Sequence, residues 1–165
     1  MGSARQLDPQ RLGDHIDRLY RSAWALTGSR ADAEDLVQET YARVLSKPRF
    51  LRNDDDLGYL LRVLRNTFLT QREAAGRRPR TAAAVEDEAE LVREREALQP
   101  DRAVETKQVF EAMAELSHDA RDVIVAVDVA GLSYKEAAKA LKVPQGTIMS
   151  RLHRARSEVA RRLTS

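Results

Sequence analysis

Residues 131–156, GLSYKEAAKALKVPQGTIMSRLHRAR, restrict the possible folds of this chain more than any other stretch. Ser133 and Glu136 stand as S-x-x-E, the capping-box spacing: the hydroxyl accepts from a first-turn amide and the carboxylate reaches back to the cap. Ala137, Ala138 and Leu141 then give a short helix with a small apolar face. Lys142, Val143 and Pro144 interrupt it, because proline has no amide hydrogen and drives its predecessor out of the helical region. A second stripe follows, Ile148, Leu152, Ala155, Val159 and Leu163, at steps of four, three, four and four. Two helices joined by a tight turn, the second one basic, have the helix-turn-helix pattern. A plain antiparallel hairpin with solvated arginines satisfies the same geometry. Charge favours the first reading: from Gln145 onward there are five arginines and a single acid, Glu158, the concentration that phosphate neutralisation asks for.

The rest of the chain also reads as helices. Leu12, Ile16, Leu19, Tyr20, Ala23 and Trp24 mark a first amphipathic helix with Gly28 as its C-cap. A second, over residues 31–46, takes Asp32 as N-cap and turns Leu36, Tyr41, Val44 and Leu45 inward before Pro48 ends it. Residues 47–56 read as a loop. Its triplet Asp54, Asp55 and Asp56 allows a divalent-metal nuclease, but no further ligands cluster nearby; the simpler reading is one helix cap and two solvated carboxylates. A third helix, residues 57–75, buries Leu57, Leu60, Leu61, Leu64 and Phe68. From Arg62 to Arg80 the chain carries six arginines against one acid, Glu73, a surface suited to a polyanion.

Residues 81–104 are alanine-rich, then densely charged, and read as a linker that spans ~80 Å extended or about 36 Å as a helix. Net charges of +4, −4 and +2 over residues 1–80, 81–104 and 105–165 fit an acidic connector between two basic modules. The last module opens with Val109, Phe110, Met113 and Leu116 inward, and Ser117 starts the next turn. Residues 122–132, DVIVAVDVAGL, suit a strand or a helix by composition; helix is preferred because no partner strand is evident.

With no cysteine, disulfides, thiol sensing and cysteine zinc sites are excluded. His15, His118 and His153 are too scattered to pair on a metal. The longest apolar run, 123–127, is far short of a membrane span, and Gln6 stands where a myristoylation signal needs Ser or Thr. The expectation is a cytoplasmic all-α protein of two small helical domains, residues 1–80 and 105–165, joined by a flexible linker over 81–104, with no cofactor and no metal.

These pieces together resemble a bacterial RNA polymerase sigma factor of the extracytoplasmic-function (ECF) type, in the sigma-70 superfamily. LTGSRADAEDLVQETYARVL (26–45) and LGYLLRVLRNTFLTQRE (57–73) are similar to region 2 of that family, and LSYKEAAKALKVPQGTIMSRLHRAR (132–156) to its region 4 helix-turn-helix. The chain departs from the family's usual residues at Tyr59, Thr70 and Met149.

The resemblance implies a subunit with no catalytic residues that directs promoter-specific initiation. Asp35, Leu36, Gln38, Glu39 and Tyr41 would dock on the β′ clamp helices of the polymerase core, with the β flap as a further contact. Phe50, Arg52, Asn53, Asp54, Tyr59, Arg62, Arg65 and Asn66 would open and read the minus-ten element. Thr147, Ser150, Arg151, His153, Arg154 and Arg156 would read the minus-thirty-five element, while Arg161 and Arg162 serve phosphate or polymerase contacts. An anti-sigma factor is a further expected partner. The alternative is a helix-turn-helix regulator that binds duplex DNA without polymerase.

Overall fold

The structure, a computed structural model, describes residues 4–47, 50–52, 55–76 and 100–165. Most of the predicted linker lies outside the described residues. In chain order the elements are β1 (Ala4–Gln6), α1 (Pro9–Leu12), a 3-10 turn (Gly13–His15), α2 (Ile16–Thr27), α3 (Arg30–Leu45), β2 (Phe50–Arg52) and α4 (Asp56–Ala75). The C-terminal unit follows with α5 (Pro100–Ala114), α6 (His118–Ile124), a π-helical stretch (Val125–Val129), α7 (Tyr134–Leu141) and α8 (Gln145–Thr164). Its first described element, α5, takes in the last residues of the segment expected as linker.

In the N-terminal unit α2, α3 and α4 pack on one another. Gly28, at φ 74°, closes α2 as its sequence position predicts, its amide donating to the Trp24 carbonyl at 2.7 Å. Ser29, rather than Asp32, caps α3: its hydroxyl accepts from the Asp32 amide. Leu19, Leu36, Leu60 and Leu64 are fully buried, with Leu12, Val44, Leu57, Leu61 and Phe68 around them. Ile16 and Leu45 are 48% and 55% exposed, so both leave the predicted inward stripes at helix ends where no neighbour covers them. The predicted 47–56 loop contains β2, which pairs antiparallel with β1, Ala4 opposite Arg52. Neither three-residue segment is long enough to show alternation in sequence.

In the C-terminal unit the ambiguous run is helical: α6 continues into a π stretch, where Ala130 donates to Val125 and Leu132 to Ala126. Ser117 caps α6, and Gly131 takes φ 80° to end the run. The capping box forms in both halves, Glu136 N–H to Ser133 Oγ at 3.1 Å and Ser133 N–H to Glu136 Oε2 at 2.8 Å. Ser133→Ala is expected to lower unfolding free energy by about 1 kcal/mol, read as a shifted denaturant midpoint. The interhelical turn adds a feature not expected from sequence: Lys142 is left-handed at φ 57°, and Val143 donates back to Ala138, a Schellman-type closure. On α8, Ile148, Leu152, Ala155 and Val159 are buried, whereas Leu163 is 43% exposed and lies beyond the packed part of the stripe.

The two units are not held apart. α2 lies against α5 and the π stretch, and α4 against α7, so one apolar cluster runs through both. Trp24 meets Phe110 edge-on at 4.8 Å. Arg121, 3% exposed, lays its guanidinium 5.1 Å from the Phe68 ring. It also donates to the Ala114 carbonyl and shares a hydrogen bond with His118 Nδ1. Burial and the nearby Arg72 push the Arg121 guanidinium below its ordinary value, while Asp122 pushes back.

Candidate nucleic-acid interface

With one side of α8 buried, its other side is left to solvent over the N-terminal half. Ser150, His153 and Arg154 are exposed there, Met149 beside them is 55% exposed, and Thr147 and Arg151 sit at the margin. Arg151 approaches Asp119 at 3.7 Å, and among the described residues Arg154 Nε reaches its own helix, at the Ser150 carbonyl 3.4 Å away. Both guanidiniums can swing to a groove without breaking a tight contact. Arg156 cannot: its Nε and Nη2 donate to both Asp128 oxygens at 2.8 and 2.6 Å. That pair holds the guanidinium above its ordinary value and pins α8 to the π stretch. Arg156, though half exposed, is thus held by an acid of its own chain. Arg162 is likewise drawn to Glu115 and Glu158.

The α4 face shows a similar division. Arg62 lies 5.8 Å over the Tyr59 ring, and Asn66 is exposed. Arg65, expected to face DNA, instead donates to Asp122 of the other unit at 2.7 Å. The side chains of Phe50, Arg52, Asn53 and Asp54 lie outside the described residues. Asp55 and Asp56 are not solvated carboxylates: Asp55 pairs with Lys139 at 3.2 Å, and Asp56 is 4% exposed in the first turn of α4. Among the described residues no three metal-binding side chains gather.

On α3, Asp35 and Gln38 are exposed, and Glu39 pairs with Arg43 one turn on at 3.2 Å. Leu36 has no exposed surface and belongs to the core, a correction to its docking role. Tyr41 is half-buried, and its hydroxyl donates to the Leu12 carbonyl at 2.7 Å, with burial raising its pKa. Of the five residues expected to dock, Asp35, Gln38 and Glu39 keep side chains at least partly in solvent. The residues missed in sequence are the acids that neutralise arginines at long range, Glu115, Asp119, Asp122 and Asp128. Asp122 and Asp128 do bracket the apolar run 123–127, but nothing in their spacing names their partners.

Comparison with known proteins decides what these faces belong to. Residues 12–78 match the family model for sigma-70 region 2, and residues 106–159 that for sigma-70 region 4. The ECF RNA polymerase sigma factor SigE of Mycolicibacterium smegmatis is 36% identical, covering 88% of this chain and 57% of that protein. SigL of Mycobacterium tuberculosis is 31% identical over 85% of this chain and 79% of its own length. The chain belongs to the ECF sigma factors. Its two units are thus regions 2 and 4 of a sigma factor, which serves promoter-specific transcription initiation by RNA polymerase.

This sigma factor also shares its overall shape with solved relatives. RpoE of Bartonella quintana, crystallised with its anti-sigma factor NepR, superposes with a TM-score of 0.70 at 26% identity, covering 94% of this chain and 95% of that one. CnrH, solved with the cytosolic domain of CnrY, shares the fold at a TM-score of 0.63 and 22% identity. Among the described residues no helix is long and apolar enough to cross a membrane.

Proposed function

We propose that this sigma factor binds core polymerase through Asp35, Gln38 and Glu39 of α3, opens and reads the minus-ten element with the α4 face, and reads the minus-thirty-five element with α8. Its polymerase contacts are the β′ clamp helices and the β flap. The protein acts in the cytoplasm and catalyses nothing itself; its work is recognition and strand capture. The observation that supports this most is the arrangement of α8: a buried stripe on one side, with Ser150, Arg151, His153 and Arg154 on or beside the solvent face near its N-terminal half. Recognition helices present that half to base edges. On α4, Tyr59 with Arg62 and Asn66 offers a ring, a cation and an amide to an unpaired strand. Melting costs on the order of 1.4 kcal/mol per base-pair step, and stacking on protein side chains returns part of it. An anti-sigma factor is the natural inhibitor, by likeness to the RpoE complex.

The test is co-purification with core polymerase and transcription from a promoter that core alone ignores. Glu39→Ala is expected to weaken core association severalfold, on the order of 1 kcal/mol for a polar contact, while leaving the fold intact. Stable binding of the free protein to duplex DNA with no affinity for core would instead make it a simple regulator.

A further inference from the structure

The solvent face of α8 is polar but for one side chain. Between Gln145 and Ser157 its exposed residues are glutamine, glycine, serine, histidine and arginine, except Met149, which is 55% exposed. Single exposed apolar side chains are ordinary on a protein surface; Met149 differs in where it stands. It lies in the N-terminal half of α8, one turn before His153, on the flank about 140° around the helix from Arg154. Helical side chains lean toward the N-terminus, so the space beside Met149 is that over Gln145 and Gly146. Gly146 leaves that space open. A Cβ added there would meet nothing within 4 Å, and its φ is not positive. Neither packing nor backbone conformation therefore asks for glycine, although glycine weakens a helix relative to alanine.

We propose that Met149, with the gap at Gly146 beside it, reads the 5-methyl group of a thymine in the minus-thirty-five element. This rests on the assignment of α8 to that element. Base edges in the major groove present hydrogen-bond donors and acceptors, and thymine adds an apolar methyl that the polar side chains of this face cannot exploit. Methionine can: its unbranched, polarizable thioether shapes itself to an irregular apolar surface. Its exposed surface leaves water only when the groove closes on it, so the gain is made on binding and not on folding. Gly146 lets the base edge come down on the first turn of α8 without meeting a Cβ. The contact forms once Arg151 and Arg154 seat the helix, and it adds one base to what they read.

The experiment uses the full chain assembled with core polymerase on a promoter that the assembly transcribes. Each thymine of the minus-thirty-five element, on either strand, is replaced in turn by deoxyuridine, which keeps the pairing edge and lacks only the methyl. Wild type should lose about fourfold in affinity at one position, the effect of withdrawing one methyl group from an apolar contact, and nothing at thymines of the spacer. Met149→Ala should bind the thymine and deoxyuridine promoters equally. Gly146→Ala, whose added methyl fills the approach, should shrink the difference at that same position while its thermal midpoint holds or rises. Met149→Lys should also lose the difference and steepen the fall of affinity with salt. A wild type indifferent to every deoxyuridine, or a Met149→Ala variant that keeps the fourfold loss, overturns the methyl contact. Scrambling the whole element separates the two readings. A loss on scrambling with none on deoxyuridine sinks the methyl contact alone; no loss on scrambling, with core still bound, sinks the assignment of α8 and the contact with it.

Discussion

Leu36→Ala is expected to cost ~2–5 kcal/mol of stability, the range for emptying a fully buried leucine site. Leu36 points from α3 into the space closed by α2 and α4, has no exposed surface, and is one of the largest wholly enclosed side chains. Truncation there removes transfer free energy and leaves a void that rigid helices fill only partly. In the urea transition the midpoint should fall sharply, and core association should fall only in proportion to the unfolded fraction. Gln38→Ala, two residues on and exposed, should do the opposite: midpoint unchanged, core association weakened. A normal midpoint for Leu36→Ala with lost core binding would mean that α3 turns a different face to polymerase.

Leu36 also marks where sequence reading succeeds and where it stops. Periodicity placed it inward, correctly, while family likeness also placed it on the docking surface; a side chain without accessible area cannot do both in this conformation. Local signals were legible wherever the physics is local. The capping box at Ser133 and Glu136, the glycine caps at Gly28 and Gly131, and the buried stripe from Ile148 to Val159 all depend on neighbours within a few residues. Stripe ends were not legible: Ile16, Leu45 and Leu163 have the right phase, but whether they are covered depends on where another helix stops. The β1–β2 pairing joins segments over 40 residues apart, and each is too short to carry a period. Least legible were the ion partners of Arg65 and Arg156, 57 and 28 residues away, since charge pairing across a fold has no spacing rule.

Those ion partners set the terms for the second large effect. Arg151→Ala combined with Arg154→Ala is expected to abolish discrimination between a cognate and a scrambled minus-thirty-five element while leaving core association unchanged. A guanidinium set bidentately on guanine discriminates by ~1–3 kcal/mol, so two together supply about 2–6 kcal/mol. What they forgo to do so is small. Arg151 gives up a 3.7 Å approach to an aspartate that is 71% exposed, and such surface pairs contribute ~0–1 kcal/mol. Arg154 gives up one long bond within its own helix. Arg156 differs, since leaving Asp128 would break two short, parallel, charge-assisted bonds; Arg156→Ala should lower stability more and selectivity less. Salt separates base reading from phosphate holding. If Arg151 and Arg154 only neutralise phosphates, the double variant should weaken binding of the polymerase complex equally on both sequences, and the slope of log affinity against log salt should flatten by about 1.8. If they read bases, the loss falls mainly on the cognate sequence and the two promoters become equivalent. A double variant that still prefers the cognate element would move recognition off this face of α8.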